Sequence, residues 1–383
     1  LRPQCPPMEG MPPPLPFFAT AAKGTEGALR DELRELRIPG VRADRGGVHF
    51  AGDWPDAWRV CLHSRIALRV LAQVSRFPAP DEKALYGGVR SVDWRPFLTP
   101  DRTLAVSAVC RDSRLTHTGF LAQKVKDAVV DQMRGRLGAR PDVDRKDPDV
   151  ALFLHLRQDQ ATLYLDLAGE SLHRRGWRTD GGEAPLKETL AAAILRLSGW
   201  DRQCPLVDPL CGSGTLPIEA DLWARNVAPG LPRARFGFER WACHGEAGRA
   251  GMAALREQAR QAIRPSGPPV RGSDRDPGAI ERARTHARQA GARVDFQVAP
   301  LADLRPLSPP GFVVANPPYG ARLEADPSLR EELEALAERL PGHTVVLLLE
   351  SGDKHLRRRP DRWWALFNGD IPCRLVLYRP GAP

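Results

Sequence analysis

The stretch that most constrains this chain is Leu206–Ala220, LVDPLCGSGTLPIEA. Leu206 and Val207 read as the end of a short buried strand, which Asp208 and Pro209 leave. Gly212, Ser213 and Gly214 form a loop where the near-absence of side chains lets a ligand meet backbone. Thr215 is expected to cap the helix that follows, whose apolar positions include Leu216, Ile218 and Ala220. A strand, a glycine turn and a helix N-terminus make a common binding corner for nucleotide-like cofactors; the bland alternative is a plain tight turn. No Lys-Ser/Thr pair follows the glycines, which excludes a P-loop, and Pro217 breaks the G-x-G-x-x-G spacing.

A second stretch, Phe312–Gly320, FVVANPPYG, favours the binding reading. Phe312 to Ala315 suit a buried parallel strand. Asn316-Pro317-Pro318-Tyr319 then sits where that strand ends, and two prolines can neither extend a ladder nor donate to it. The turn offers an amide oxygen, a proline carbonyl and an aromatic ring at the carboxyl edge of the sheet, where open α/β sheets bind ligands.

These two motifs together resemble class I S-adenosylmethionine-dependent methyltransferases that act on an exocyclic amino nitrogen. The longer match, to the THUMP-domain RNA guanine-N2 methyltransferases, is carried by GESLHRRGWR at 169–178, EAPLKETLAAAILRLSGW at 183–200, GFERW at 237–241, GSDRDPGAIERAR at 272–284 and NPPYGARL at 316–323. It covers roughly residues 17–380. The resemblance implies a Rossmann-like catalytic domain with a seven-stranded mixed sheet, preceded by an α+β module and a THUMP RNA-binding domain. It also implies S-adenosylmethionine as cofactor, held by Asp208, Pro209, Cys211, Gly212, Ser213, Gly214, Thr215, Asp274, Asp303 and Asn316. RNA is the implied partner: 23S rRNA first, because the N-terminal half most resembles the ribosomal enzymes, with the tRNA acceptor stem as the alternative.

Composition favours an anionic partner without identifying it. The chain has 383 residues, enough for two or three domains, and a net charge of +9. Residues 1–180 carry 28 basic and 23 acidic side chains and the remainder 28 and 24, so no tail carries the excess. A nucleic-acid surface must therefore be assembled by folding. The seven cysteines, at positions 5, 61, 110, 204, 211, 243 and 373, include no C-x-x-C pair. That argues against a disulfide scaffold or a zinc site and fits a reducing cytoplasm. There is no signal peptide in view and no apolar run of the ~18–20 residues a membrane helix needs. The chain opens on Leu1, so residues ahead of it are expected. A monomer is expected.

Read in order, residues 1–16 form a proline-rich tail expected to be disordered. Residues 17–71 read as a ferredoxin-like module: a strand at Phe17–Thr20, a helix at Thr25–Leu36, a strand at Gly46–Phe50, and a helix from Trp58 to Leu71. Residues 72–168 read as the THUMP domain, with a strand at Thr103–Val109 and a helix over Gly119–Arg136 that turns Leu121, Val125, Val129 and Met133 inward. Its Lys124 and Lys126 are candidate RNA contacts, against the plainer reading of a solvated face. Strands at Ala151–Leu156 and Thr162–Leu167 close the module. The linker, 169–183, carries Arg174, Arg175, Trp177 and Arg178, which can hold phosphates and stack on a base.

The catalytic domain is expected over 184–383. Leu186–Leu197 is its first helix, Asn226–Pro268 an irregular insertion with one helix, and Pro269–Ser273 a strand ending at Asp274. A carboxylate there can hold ribose hydroxyls, with Asp276 as competitor. Where the family often places an acidic residue near adenine, Ala299-Pro300 stands instead, and Asp303 is the substitute. Later strands fall at Val313–Ala315, Thr344–Leu349 and Cys373–Tyr378, with a turn at Asn368-Gly369.

An exocyclic base amine is a weak nucleophile because its lone pair is delocalised into the ring. The chemistry needs acceptors for its N–H bonds more than a strong base. Asn316 and the Pro317 carbonyl suit that role, and Tyr319 can stack on the base. Cys211 reads as a packing residue. DNA adenine-N6 methylation, which also uses N-P-P-Y, and a noncatalytic RNA-binding protein are the competing readings.

Overall fold

The computed structural model describes residues 16–178, 186–319, 326–351 and 358–380. The proline-rich segment 1–15, the end of the linker at 179–185 and Gly320–Leu323 of the longer motif lie outside the described residues.

The N-terminal half forms one sheet of eight strands: β1 Phe17–Thr20, β2 Arg42–Asp44, β3 Gly47–Phe50, β4 Arg69–Pro78, β5 Thr103–Arg111, β6 Asp142–Val143, β7 Val150–Arg157 and β8 Gln160–Asp166. Their spatial order is β2-β3-β1-β4-β8-β7-β5-β6. Phe50, Phe17, Ala72 and Leu165 are register partners across four of these strands, and all are buried. The core they join holds Leu29 of α1 (Glu26–Glu35), Val60 of α2 (Trp54–His63), Leu85 of α3 (Glu82–Ser91), and Leu121, Val125, Val129 and Met133 of α4 (Thr118–Leu137). These four helices therefore cover one face of the sheet, and side chains of opposite parity along each strand point away from them.

One expected element is corrected. The helix read from Trp58 to Leu71 starts earlier and ends at His63. Asp53 and Asp56 close a capping box, which sets the start. At the other end, the buried Glu32 of α1 accepts the Ser64 hydroxyl at 2.5 Å and the Arg65 N–H at 2.9 Å, capturing groups that would continue the helix. Residues 69–78 become β4, which pairs with β1 on one side and β8 on the other. The boundary expected at 71/72 thus falls inside a strand shared by both modules.

The catalytic half is a sheet of β9 Leu206–Asp208, β10 Val270–Asp274, β11 Asp295–Val298, β12 Gly311–Ala315, β13 His343–Glu350, β14 Arg362–Asn368 and β15 Ile371–Tyr378. Its order is β11-β10-β9-β12-β13-β15-β14, with β15 antiparallel to both neighbours: the seven-stranded mixed sheet expected. The helices are α5 Glu188–Leu197, α6 Thr215–Ala224, α7 Gly245–Gln261, α8 Pro277–Ala290 and α9 Pro327–Arg339. The chain winds outward through β9, β10 and β11, then crosses to β12 on the other side of β9. That reversal of winding is a switch point, where the loops leaving β9 and β12 diverge and open a crevice.

Candidate active site

Both sequence motifs sit at this switch point. Leu206 pairs with Phe312 and Val207 with Val313, so the glycine loop and Asn316 leave adjacent parallel strands at the same edge. Gly212 and Gly214 both have positive φ, +51° and +86°. They serve different ends. A Cβ on Gly214 would lie 2.9 Å from the Phe296 ring and 3.0 Å from the Ala283 Cβ, so this glycine lets the loop pack on α8 and β11. A Cβ on Gly212 would meet no atom within 4 Å, so its backbone borders open space.

Asp274 ends β10, and its carboxylate accepts the Gly212 N–H and the Asp276 N–H, each at 3.0 Å. A carboxylate has about four acceptor sites, so two such bonds leave capacity for a diol. Asp276 is occupied otherwise: it caps α8 by accepting the Gly278 N–H at 2.8 Å. Asp208 is buried, and burial, with the negative charge of Asp274 beside it, pushes its carboxyl well above the usual range. It accepts the Leu210 N–H at 3.1 Å, which turns the chain out of β9. The His286 ring lies 3.1 Å from the Ser213 carbonyl and pins the far side of the loop. Burial also raises the Cys211 thiol, which packs with Ile218 and Phe296; that is the environment of a filler and not of a nucleophile.

Thr215 does not cap α6. Gly214 holds the cap position, because its left-handed conformation brings the chain into the helix without a side chain. The Thr215 hydroxyl instead accepts from the Arg178 guanidinium at 2.7 Å. Asp303 closes a short 3-10 turn, Leu301–Asp303, and is exposed.

In the N-P-P-Y turn, the Tyr319 hydroxyl donates to the Asn316 amide oxygen. The ring packs against a core cluster that includes Val314, Leu366 and Cys373. This arrangement fixes the amide and leaves the ring half-buried.

The expected RNA contacts fare unevenly. Arg175 is 3% exposed and pairs with the equally buried Glu219 of α6 at 3.2 Å, while donating to the Leu172 and Arg65 carbonyls. Trp177 is 2% exposed and fills the cluster behind the glycine loop, beside Cys211 and Ile218. Arg178 is spent on Thr215, the Leu186 carbonyl and Glu188. These three are tied into the packing behind the glycine loop, and Arg175 and Trp177 present almost no surface; a run of Arg around Trp reads the same whether exposed or buried. Lys124 pairs with Glu82 and Lys126 lies 2.6 Å from Asp127, and their side chains are only 22% and 24% exposed, so neither reaches far from α4. Arg174 alone of the linker group is exposed, 2.6 Å from Glu170. Among the described residues there is no cluster of metal-ligating side chains, and no helix is long and apolar enough to cross a membrane.

Comparison with known proteins identifies the domains. Residues 175–373 match the RMKL-like methyltransferase domain, residues 79–166 the THUMP domain, and residues 16–71 the RlmL ferredoxin-like domain. The ribosomal RNA large subunit methyltransferase K/L of Syntrophotalea carbinolica is 44% identical over 389 residues, covering 96% of this chain and 54% of that protein. Its namesake from Methylococcus capsulatus is also 44% identical, covering 96% of this chain and 52% of its own length. The chain thus spans about half the length of the curated relatives it matches. Among solved structures, SMU.472, a protein ascribed to the methyltransferases and crystallised with SAH, superposes with a TM-score of 0.87 at 30% identity, covering 97% of this chain and all of that one. TrmN from Thermus thermophilus, at 22% identity and a TM-score of 0.70, shares the fold over 94% of this chain and 98% of its own. With a matching catalytic domain over more than half its length and both accessory domains ahead of it, the chain belongs to the RMKL-like methyltransferase family, in the form that carries a RlmL ferredoxin-like domain and a THUMP domain.

Proposed function

We propose that this chain transfers a methyl group from S-adenosylmethionine to the exocyclic N2 of a guanine in structured RNA, with 23S rRNA the first substrate to test. The observation that carries the reading is the placement of the glycine loop and the N-P-P-Y turn on adjacent parallel strands at the switch point. The THUMP match, and K/L relatives named for ribosomal RNA, favour RNA over DNA.

The site residues fit the cofactor. Gly212 borders open space, Asp274 keeps acceptor capacity that a ribose diol would use, and the buried Asp208 shapes the bottom of the loop. When bound, the cofactor supplies an electrophilic methyl group. The chain's own residues orient the amine. The Asn316 amide oxygen, held by Tyr319, keeps a second lone pair to accept one amino N–H. The Pro317 carbonyl accepts the other, and the rigid diproline leaves little reorganisation at the moment of reaction. The target guanine must be unpaired or flipped out, at a cost of a few kcal/mol.

The test is incubation of the purified chain with methyl-labelled S-adenosylmethionine and 23S rRNA lacking the modification, followed by nucleoside mass analysis. N2-methylguanosine is expected. Methylation of transfer RNA alone would shift the substrate, and N6-methyladenosine would replace the assignment.

A further inference from the structure

The low exposure of the α4 lysines leaves the proposed RNA contact unassigned, and the opposite side of the N-terminal sheet offers more exposed cations, with Arg174 and Arg235 at 67% and 56% side-chain exposure. A cavity of about 1140 Å³ lies there, larger than the ~300–1,000 Å³ of a small-molecule site. Its floor is the helix-free face. Phe153 lies on it, in register with Ser107 of β5 and Tyr164 of β8. Phe153 and Tyr164 are half-buried, with ring centroids 6.3 Å apart.

The walls come from two different parts of the chain. One is the linker, which Arg233 of the catalytic insertion clamps by donating to the carbonyls of Ala168, Glu170, Ser171 and Arg174 at 2.8–3.3 Å. The other is the loop before β7, where Asp147 accepts from Arg235 at 3.1 Å and from Arg240. The rim is cationic: Arg145, Lys146, Arg174 and Arg235 are exposed, against the exposed carboxylates Asp147 and Glu170. His173, also on the rim, is lowered to about 4, first by burial and then by the nearby Lys187, Arg174, Arg175 and Arg178. The linker continues from this rim to Trp177, which is buried behind the glycine loop.

We infer that this groove holds a single-stranded segment of the substrate RNA, with phosphates on Arg145, Lys146, Arg174 and Arg235 and a base against Phe153. An aromatic floor under a basic rim is the chemistry that recognises unpaired nucleotides without reading their sequence. The inference rests on the RNA reading above and adds where the RNA lies.

The test uses the full chain and a fluorescein-labelled RNA hairpin with a single-stranded flank of about ten uridines, read by anisotropy across a salt series. The double variant Arg145→Ala/Lys146→Ala lies on an exposed loop. It should weaken binding about tenfold and flatten the slope of log affinity against log salt by about 1.4, the share of two phosphate contacts on a single strand. Phe153→Leu keeps apolar volume for folding but loses the stacking surface. It should weaken binding about fivefold or more while leaving the salt slope unchanged. Wild-type affinity and slope in both variants would overturn the groove and leave the proposed function standing. A wild-type chain that neither binds nor methylates RNA overturns both.

Discussion

The Tyr319 hydroxyl donates to the amide oxygen of Asn316, three residues earlier in the same turn. The group proposed to receive a substrate N–H is therefore oriented before substrate arrives, by a residue whose ring is packed into the core beside Leu366 and Cys373. The same tyrosine therefore has two readings, a stacking residue and a positioning one.

Tyr319→Phe is the discriminating change. Loss of a bond worth about 1 kcal/mol should slow single-turnover methylation about fivefold, with RNA affinity unchanged. A stacking role predicts the reverse: Phe would be silent in rate.

Asn316→Ala removes the acceptor itself. By analogy with lost oxyanion-hole donors, the single-turnover rate should fall roughly 10²–10³-fold. Cofactor affinity, measured by calorimetry, should barely move, because the contact forms only with the base.

Asp274 and Asp276 separate binding from stability. Asp274→Ala loses both the carboxylate and the bond to Gly212, so cofactor affinity should drop clearly. Asp276→Ala loses the cap of α8 and should cost about 1 kcal/mol in denaturant melts, with cofactor affinity near wild type. Equal cofactor loss in the two variants would return Asp276 to the binding site.

The two loop glycines should divide in the same way. Gly214→Ala meets both a positive φ and the Phe296 ring, so about 2–4 kcal/mol of stability should be lost. Gly212→Ala has room for its methyl group. It should cost about 1–2 kcal/mol for the left-handed backbone, and its larger effect should be on cofactor affinity, since the methyl projects into the space left open.

Asp208 gives the pH dependence. Its carboxyl is raised by burial, so above about pH 4 the unfolded chain has released a proton the folded chain keeps. The folded state then binds more protons, and this residue's contribution to stability falls as pH rises towards its folded value. Asp208→Asn should flatten that fall, so the melting temperature without cofactor rises relative to wild type between pH 6 and 8 (about the working range). A variant that melts lower than wild type at pH 8 would place the charged form in the folded state.

Local sequence determined much of this protein. The apolar run before Asp208, the positive-φ glycines and the diproline after Ala315 fix strand ends and turns through steric rules that act within a few residues, and the family resemblance rests on the same motifs. The periodicity of α4 likewise placed Leu121, Val125, Val129 and Met133 in the core. What only the tertiary structure decided was which side of an element meets solvent and which distant group takes each hydrogen bond. The Arg and Trp of the linker are legible as charge and ring, but Glu219, 44 residues from Arg175, turns that arginine inward. Glu32, more than thirty residues before Ser64, ends a helix whose apolar pattern runs on to Leu71. The basic groove draws on residues 145–174 and 233–235, and neither segment is basic enough alone to announce it. Such partners are close in space and remote in the chain, so their choice belongs to the packing of two sheets and not to any stretch of sequence.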